Sequence, residues 1–315
     1  MAYFSDRKRG LDFMASLRWP GGKVSCPHCQ SEKVSFLSTR EKWKCMACHK
    51  QFSAKLGTIF EDSALGYDKW FPALWMIVNA KNGISSYEIA RSLGVTQKTA
   101  WFMLQRLRLA LQAGSFDKFS GEVEADETYV GGRAFKMNSK QRARRKEDGR
   151  GTINMVPVAG ILQRTTEETP SRVKVRVVRN AKRREVMPNI LTTVRHGSTI
   201  FTDALKSYQG LHHAYTHEVI DHAIAYVRGK VHTNGMENFW SLLKRCLKGT
   251  YVSVEPFHLS RYLDEQAFRF NERKDCDAGR FKKAAQGIIG KTLSYLELMD
   301  GKGGDDLLPC ATGAR

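Results

Sequence analysis

The stretch Gly121–Arg133 (GEVEADETYVGGR) concentrates acidity in a chain that is otherwise basic, with Glu122, Glu124, Asp126 and Glu127 all inside it. Val123 and Ala125, then Tyr129 and Val130, read as a strand that ends at the Gly131-Gly132 turn. Its alternation puts Glu122, Glu124 and Asp126 on one face. Carboxylates crowded in this way repel, and they stay ionised only where a cation neutralises them; a solvated acidic edge strand is the plain alternative. Downstream, Asp203 ends the apolar run Ser198–Asp203, where it could equally cap the turn opening at Ser207-Tyr208. Glu237, Ser241 and Lys244 fall at i, i+4 and i+7 of a helix whose opposite stripe is Phe239, Leu242, Leu243 and Cys246. A carboxylate and an ammonium could meet one ligand there, or form an ordinary surface pair.

A second chemistry lies near the N-terminus. Four of the seven cysteines form two C-x-x-C pairs, Cys26/Cys29 and Cys45/Cys48, with fifteen residues between them. Four thiolates at that spacing make a closed tetrahedral zinc site of the ribbon type, structural because no coordination position stays open. A redox pair would explain one C-x-x-C and not two. Cys246, Cys276 and Cys310 stand alone, so the pattern indicates metal binding in a reducing compartment rather than a disulfide framework.

The elements that position these residues follow the chain. Residues 1–20 suggest a short amphipathic helix before Pro20-Gly21-Gly22. Strand-like Val34–Leu37, Trp43 and Gln51–Ser53 accompany the cysteines. Trp70, Leu74, Trp75, Ile77 and Val78 mark a helix; a second, capped by Ser85 or Ser86, runs to Gly94, and a third runs from Thr96 to about Leu111. That pattern is a helix-turn-helix or a plain helical hairpin; in the first case Gln97, Lys98 and Trp101 would meet DNA in the major groove. Gly114–Ser120 is a linker. Arg133–Arg150 holds eight Lys/Arg, among them Arg142, Arg144 and Arg145, against two acids, and is a solvated or phosphate-contacting loop. Strands follow over Ile153–Leu162, Val173–Val178 and Ser198–Asp203, a helix over Arg184–Val194, and another over Leu259–Arg273. Residues 276–315 read as a tail.

With 315 residues, the chain is long enough for two or three domains. Its net charge of +19, positive both before and after residue 120, points to a polyanion contacted along the whole protein. No signal peptide or membrane-length apolar run is present, so the expected location is cytoplasmic, on the nucleoid.

The phrases DETYVGG, TDALKSYQGL, HTNGMENFWSLLKR and HLSRYLDEQAFRFNER resemble the DDE-type transposases of bacterial insertion sequences. Within them the match is to insertion-sequence family fifteen-ninety-five, whose members carry an N-terminal zinc ribbon, and it covers roughly residues 20–275. The resemblance implies an α/β, ribonuclease-H-like catalytic domain over 120–275, a mixed five-stranded sheet with flanking helices. Before it would come a zinc ribbon with an N-terminal helix (1–60) and a helix-turn-helix-like region (61–115). It implies Asp126 on the first strand, Asp203 just after the fourth and Glu237 on the following helix as ligands of two Mg²⁺ ions about 3.5–4 Å apart, replaceable by Mn²⁺. Lys244 would contact a phosphate near the cut. Asn234, one turn before Glu237, is the rival third ligand; Glu124 and Glu127 are weaker rivals to Asp126. The implied partners are double-stranded DNA, as terminal inverted repeats and target, and further copies of the chain. A DNA-binding regulator with a vestigial nuclease domain and a nuclease or resolvase of the same fold are the other readings.

Overall fold

Residues 4, 6–112, 117–131, 155–167, 169–203, 206–220 and 232–299 are described by a computed structural model of the chain. They divide into two units, one built from Met1–Ala113 and the segment beginning at Asp275, the other from Gly114–Lys274.

In the first unit Asp6 accepts the N–H of Lys8 at 2.8 Å and so caps α1 (Arg7–Arg18). Three short strands, β1 (Val34–Leu37), β2 (Lys42–Cys45) and β3 (Gln51–Phe52), pair antiparallel in that order. Phe36, Trp43 and Phe52 are cross-strand neighbours, and Trp19 packs on Trp43. Helix α2 (Tyr67–Asn79) buries Trp70, Phe71, Leu74, Ile77 and Val78, spaced to make one face. Helix α3 (Ser86–Leu93) is capped by Ser85 and stopped by Gly94 at φ +62°, and α4 (Gln97–Leu111) is capped by Thr96. Both caps and the glycine turn follow the sequence expectation.

The second unit is a five-stranded mixed sheet in the order β6-β5-β4-β7-β8, made of β4 (Glu122–Gly131), β5 (Met155–Gln163), β6 (Arg172–Val177), β7 (Thr199–Asp203) and β8 (Thr216–Ile220). The β4–β5 and β5–β6 pairs are antiparallel; β4–β7 and β7–β8 are parallel. Helix α5 (Arg183–Thr193) covers one face with Val186 and Ile190 against Val123, Ala125 and Ile200. On the other face lie α6 (Asn234–Cys246) and α7 (Leu259–Asn271), burying Met236, Phe239, Leu243, Leu263 and Phe270 against Val130, Val158 and Val173. Close approach of α6 depends on Gly160, where an added Cβ would fall 2.7 Å from the Trp240 ring. Strand β8 was not anticipated, because Thr216–Ile220 is too short and too polar to carry a period-2 signal.

After α7 the chain returns to the first unit, which corrects the reading of 276–315 as a tail. Helix α8 (Asp277–Gln286) places Phe281 among Phe4, Phe13, Phe71 and Trp75, with ring centroids 5.5–6.2 Å away. Ile59 donates to the carbonyl of Ile288 at 3.1 Å, and Arg106 to that of Leu293 at 2.9 Å. A last short helix, α9 (Tyr295–Met299), follows. Lone aromatic and aliphatic residues between charges gave no pattern from which this docking could be read. No helix among the described residues is long and apolar enough to cross a membrane. Truncating the buried Phe281 to Ala should lower the unfolding free energy of the first unit by about 3–5 kcal/mol, as read by denaturant melts; a loss under about 1 kcal/mol would restore the tail reading.

Candidate active site

Parallel pairing of β4 with β7 matches Glu122 to Thr199, Val123 to Ile200 and Glu124 to Phe201, and stops there. The same register, carried two residues on, sets Asp126 level with Asp203. On its antiparallel side β4 stays paired to β5 as far as Gly131. The two aspartates therefore sit where one ladder has ended and the other still holds the strand. Alternation sends Val123 and Ala125 toward α5, and Glu124 and Asp126 toward α6.

Asp126 accepts the N–H of Glu127 at Oδ1 (2.8 Å) and the indole Nε1–H of Trp240 at Oδ2 (2.9 Å). Burial, offset in part by the Trp240 bond and reinforced by the charges of Asp203 and Glu237, pushes its carboxyl up to about 6. Glu237 lies in the first turn of α6 and is exposed. With Asp126, Glu127, Trp240, Ser241 and Lys244 it lines an open cleft of about 520 Å³. Asp126, Asp203 and Glu237, on two adjacent strands and a helix, carry hard oxygen donors of the class that Mg²⁺ and Mn²⁺ take, but among the described residues only the four cysteines bring three or more metal-ligating atoms within 4.8 Å of one another.

The neighbouring acids are spoken for. Arg164 donates from Nε to Glu124 Oε1 (2.9 Å), from Nη1 to Glu122 Oε2 (3.2 Å) and from Nη2 to the carbonyl of His232 (2.7 Å). Its guanidinium also stacks 3.9 Å from the centre of the Phe201 ring. Glu124 Oε2 accepts the N–H of Met236 at 2.9 Å, which caps α6 from the sheet. Sequence reasoning missed Arg164. Its role follows from strand register, since Gln163 pairs with Val123 and the next residue faces Glu122.

At the other metal centre, a tetrahedral four-thiolate zinc site with Zn–S near 2.3 Å requires sulfurs roughly 3.8 Å apart. Here Cys26 and Cys48 are 3.7 Å apart, Cys29 and Cys45 3.5 Å, and all four sulfurs lie within 4.8 Å of one another. Gln30 and His49, each directly after its knuckle, adopt φ of 62° and 59°, the tight turn that lets backbone N–H groups point at sulfur. The N–H groups of Cys48 and Ala47 hold the Cys45 thiol down at about 6. These residues fit one structural zinc ion.

Comparison with known proteins gives two family matches, a transposase zinc-ribbon domain over residues 8–51 and an ISXO2-like transposase domain over residues 118–271. An uncharacterized protein in transposable element ISH50 of Halobacterium salinarum is 30% identical over 272 residues, spanning 82% of this chain and 89% of that protein. The chain belongs to the insertion-sequence family fifteen-ninety-five of DDE transposases. An uncharacterized transposase-like protein of Haemophilus influenzae is 31% identical over 96 residues, 30% of this chain and 77% of that protein. Membership implies a ribonuclease-H-like fold for the second unit, in keeping with its mixed five-stranded sheet.

In this transposase Glu124 is engaged by Arg164 and Met236, so as a rival to Asp126 it is better suited to building than to binding metal. Asn234 opens α6 and is exposed; it is absent from the lining of the cleft. Glu127 faces the opposite side of the sheet, toward Tyr208. Of the residues expected at DNA, Gln97 donates to Ser86 Oγ at 2.8 Å, and Lys98 lies 5.1 Å from the Tyr295 ring while remaining exposed. Trp101 is half-buried on α4. Arg142, Arg144 and Arg145 lie outside the described residues.

Two outcomes follow from this geometry. Arg164→Met leaves Glu124 buried beside an apolar side chain and should destabilise the second unit by about 3–5 kcal/mol. Pairing it with Glu124→Leu should recover part of that loss in a double-mutant cycle; full additivity would deny the coupling. For Asp126, the unfolded carboxyl titrates near 3.8 and the folded one near 6, so the native state holds the extra proton between those values. Stability at this position is accordingly lost as pH rises from about 4 to 6. Without added divalent metal, Asp126→Asn should gain on wild type as pH rises from about 5 to about 7.5, by about 1.4 kcal/mol, the part of the linkage that falls in that window; a pH-independent difference in melts would contradict the burial.

Proposed function

We propose that this transposase binds the terminal inverted repeats of its element and catalyses divalent-metal-dependent cleavage and strand transfer in the cleft lined by β4 and α6, at the end of β7. The observation that carries the proposal is the register that sets Asp126 beside Asp203, with Glu237 acting on Asp126 from α6. Asp126, Asp203 and Glu237 would hold magnesium, which when bound activates the attacking oxygen and neutralises the leaving one. Trp240 fixes the rotamer of Asp126 through its indole N–H. Lys244, two turns after Glu237 on the same lining, would hold a phosphate of the cut strand. Glu124 keeps the first turn of α6 seated on the sheet, so the carboxylate of Glu237 is delivered by a rigid element. No covalent protein–DNA intermediate enters, and no nucleophilic side chain is called for.

The zinc ribbon and the α3–α4 pair would grip the ends of the element, with counterion release making binding salt-dependent. Magnesium or manganese should support the chemistry, whereas calcium should support binding with little turnover.

Incubation of the protein with the ends of its element, Mg²⁺ and a target plasmid tests the reading. Asp126→Asn, Asp203→Asn and Glu237→Gln should each lower cleavage and joining by at least about 10³-fold, with double substitutions losing little more. End binding should persist in all three. Activity in Glu237→Gln beside its loss in Asn234→Ala would move the third ligand to Asn234. Cleavage with no joining under any condition would reduce the function to that of a nuclease.

A further inference from the structure

Residues 172–184 carry seven Lys/Arg and no acid. On β6, Val173, Val175 and Val177 pack into the core beneath α6 and α7, so alternation turns Arg172, Lys174 and Arg176 to the α5 side of the sheet. The charges of Arg172 and Lys174 lie 5.7 and 5.0 Å from the centre of the Phe119 ring, which belongs to the core on that side. Arg179, Lys182, Arg183 and Arg184 follow on the way into α5, and all four are exposed. Among the described residues no carboxylate forms an ion pair with Arg176, Lys182, Arg183 or Arg184.

Strands β4 and β6 both run antiparallel to β5, so β6 ends at the end of the sheet where the cleft opens. Val175 and Asp126 share Gly160 as their partner on β5, while Arg176 and Glu127 share Ala159. Arg176 therefore lies one residue past the level of Asp126, two strand spacings or about 10 Å across the sheet. The Ser207 hydroxyl donates to the Ala181 carbonyl and ties the start of α5 to the turn that follows Asp203. In the free protein this arrangement is unfavourable. Crowded cations repel, and Lys182, Arg183 and Arg184 stand at the positive end of the α5 dipole, where acids would stabilise the helix. A polyanion lying across the face removes both penalties. The three strand cations span about 13 Å, a length over which a DNA duplex presents about eight phosphates. No large apolar side chain is exposed between residues 172 and 184, so the face lacks the apolar centre that a protein partner would need.

We propose that the face formed by β6 and the start of α5 is a further DNA-binding surface, which holds the phosphate backbone of double-stranded DNA, independently of sequence, at the end of the sheet where the cleft opens. The proposal rests on the reading of the chain as an enzyme that cuts and joins DNA, and it adds a contact that neither the cleft nor the first unit supplies.

The test uses the full-length, zinc-loaded protein and a DNA duplex of unrelated sequence, titrated without divalent metal at several salt concentrations. One variant carries Arg176→Gln, Lys182→Gln, Arg183→Gln and Arg184→Gln; a second carries Lys182→Glu and Arg184→Glu. The first should bind at least about tenfold more weakly and lose about two to four from the slope of log affinity against log salt. The second should also bind at least about tenfold more weakly, while its Tm equals or exceeds that of wild type because acids suit the start of a helix. Wild-type affinity and slope in both variants would overturn the proposal. A loss seen with duplex RNA and not with duplex DNA would assign the face to RNA and overturn it as well. Failure of both variants to fold would make the cluster structural, with the same consequence. Cleavage of the element's ends by the wild type in Mg²⁺, measured alongside, reports on the transposase reading itself. Cleavage beside unchanged binding in the variants removes this surface alone, whereas a wild type that neither cleaves nor binds DNA removes both.

Discussion

A buried ion pair between Glu124 and Arg164 organises the second unit. A carboxylate this deep is tolerable only with close partners, and Glu124 has three: the Arg164 guanidinium, the His232 ring 3.5 Å away and the N–H of Met236. The last of these matters most. Helix α6 begins with unpaired N–H groups and a positive dipole end, and a carboxylate on the neighbouring sheet answers both. Gly235 is the local requirement for that approach, since a Cβ there would lie 2.8 Å from Glu124 Oε2. Once the first turn is pinned, Glu237 and Trp240 have little freedom, and Trp240 in turn orients Asp126.

Opposite requirements are met on one strand. Glu122 and Glu124 are neutralised by an arginine and serve the fold, while Asp126, two residues further along the same face, accepts neutral N–H groups of Glu127 and Trp240 and lies in the field of other carboxylates. The division falls where β7 stops pairing with β4. Up to that point β4 is paired on both sides; beyond it β4 is paired to β5. Gly160, facing Asp126 across the antiparallel ladder, keeps the space over the strand clear for the Trp240 ring. The site is thus a defect placed at the end of a ladder, held by a well-satisfied network one step behind it.

In the first unit stability comes from aromatic packing and from thiolate geometry. Phe4, Phe13, Phe71 and Phe281 gather residues from three parts of the chain, and Gly10 lets α1 approach Tyr67. The ribbon contributes little apolar core, so its four sulfurs close a module that small sheets cannot stabilise alone.

Much was legible from residue types because the relevant physics is local. Two C-x-x-C knuckles, a serine cap, a glycine turn and a threonine cap each act within a few residues, and each recurs in the structure at the expected positions. Period-2 alternation placed Glu124 and Asp126 on one face, and the helical spacing of Glu237, Ser241 and Lys244 placed them along one cleft. The sequence could not say which acid would be neutralised by an arginine and which would remain in the cleft. That depends on the register of β5 against β4 and of β4 against β7, a long-range property that no local pattern encodes. The return of residues 277–299 to the first unit was hidden for the same reason. Phe281 declares itself as core only when Phe13, Phe71 and Trp75 surround it, and tertiary packing alone brings those rings together.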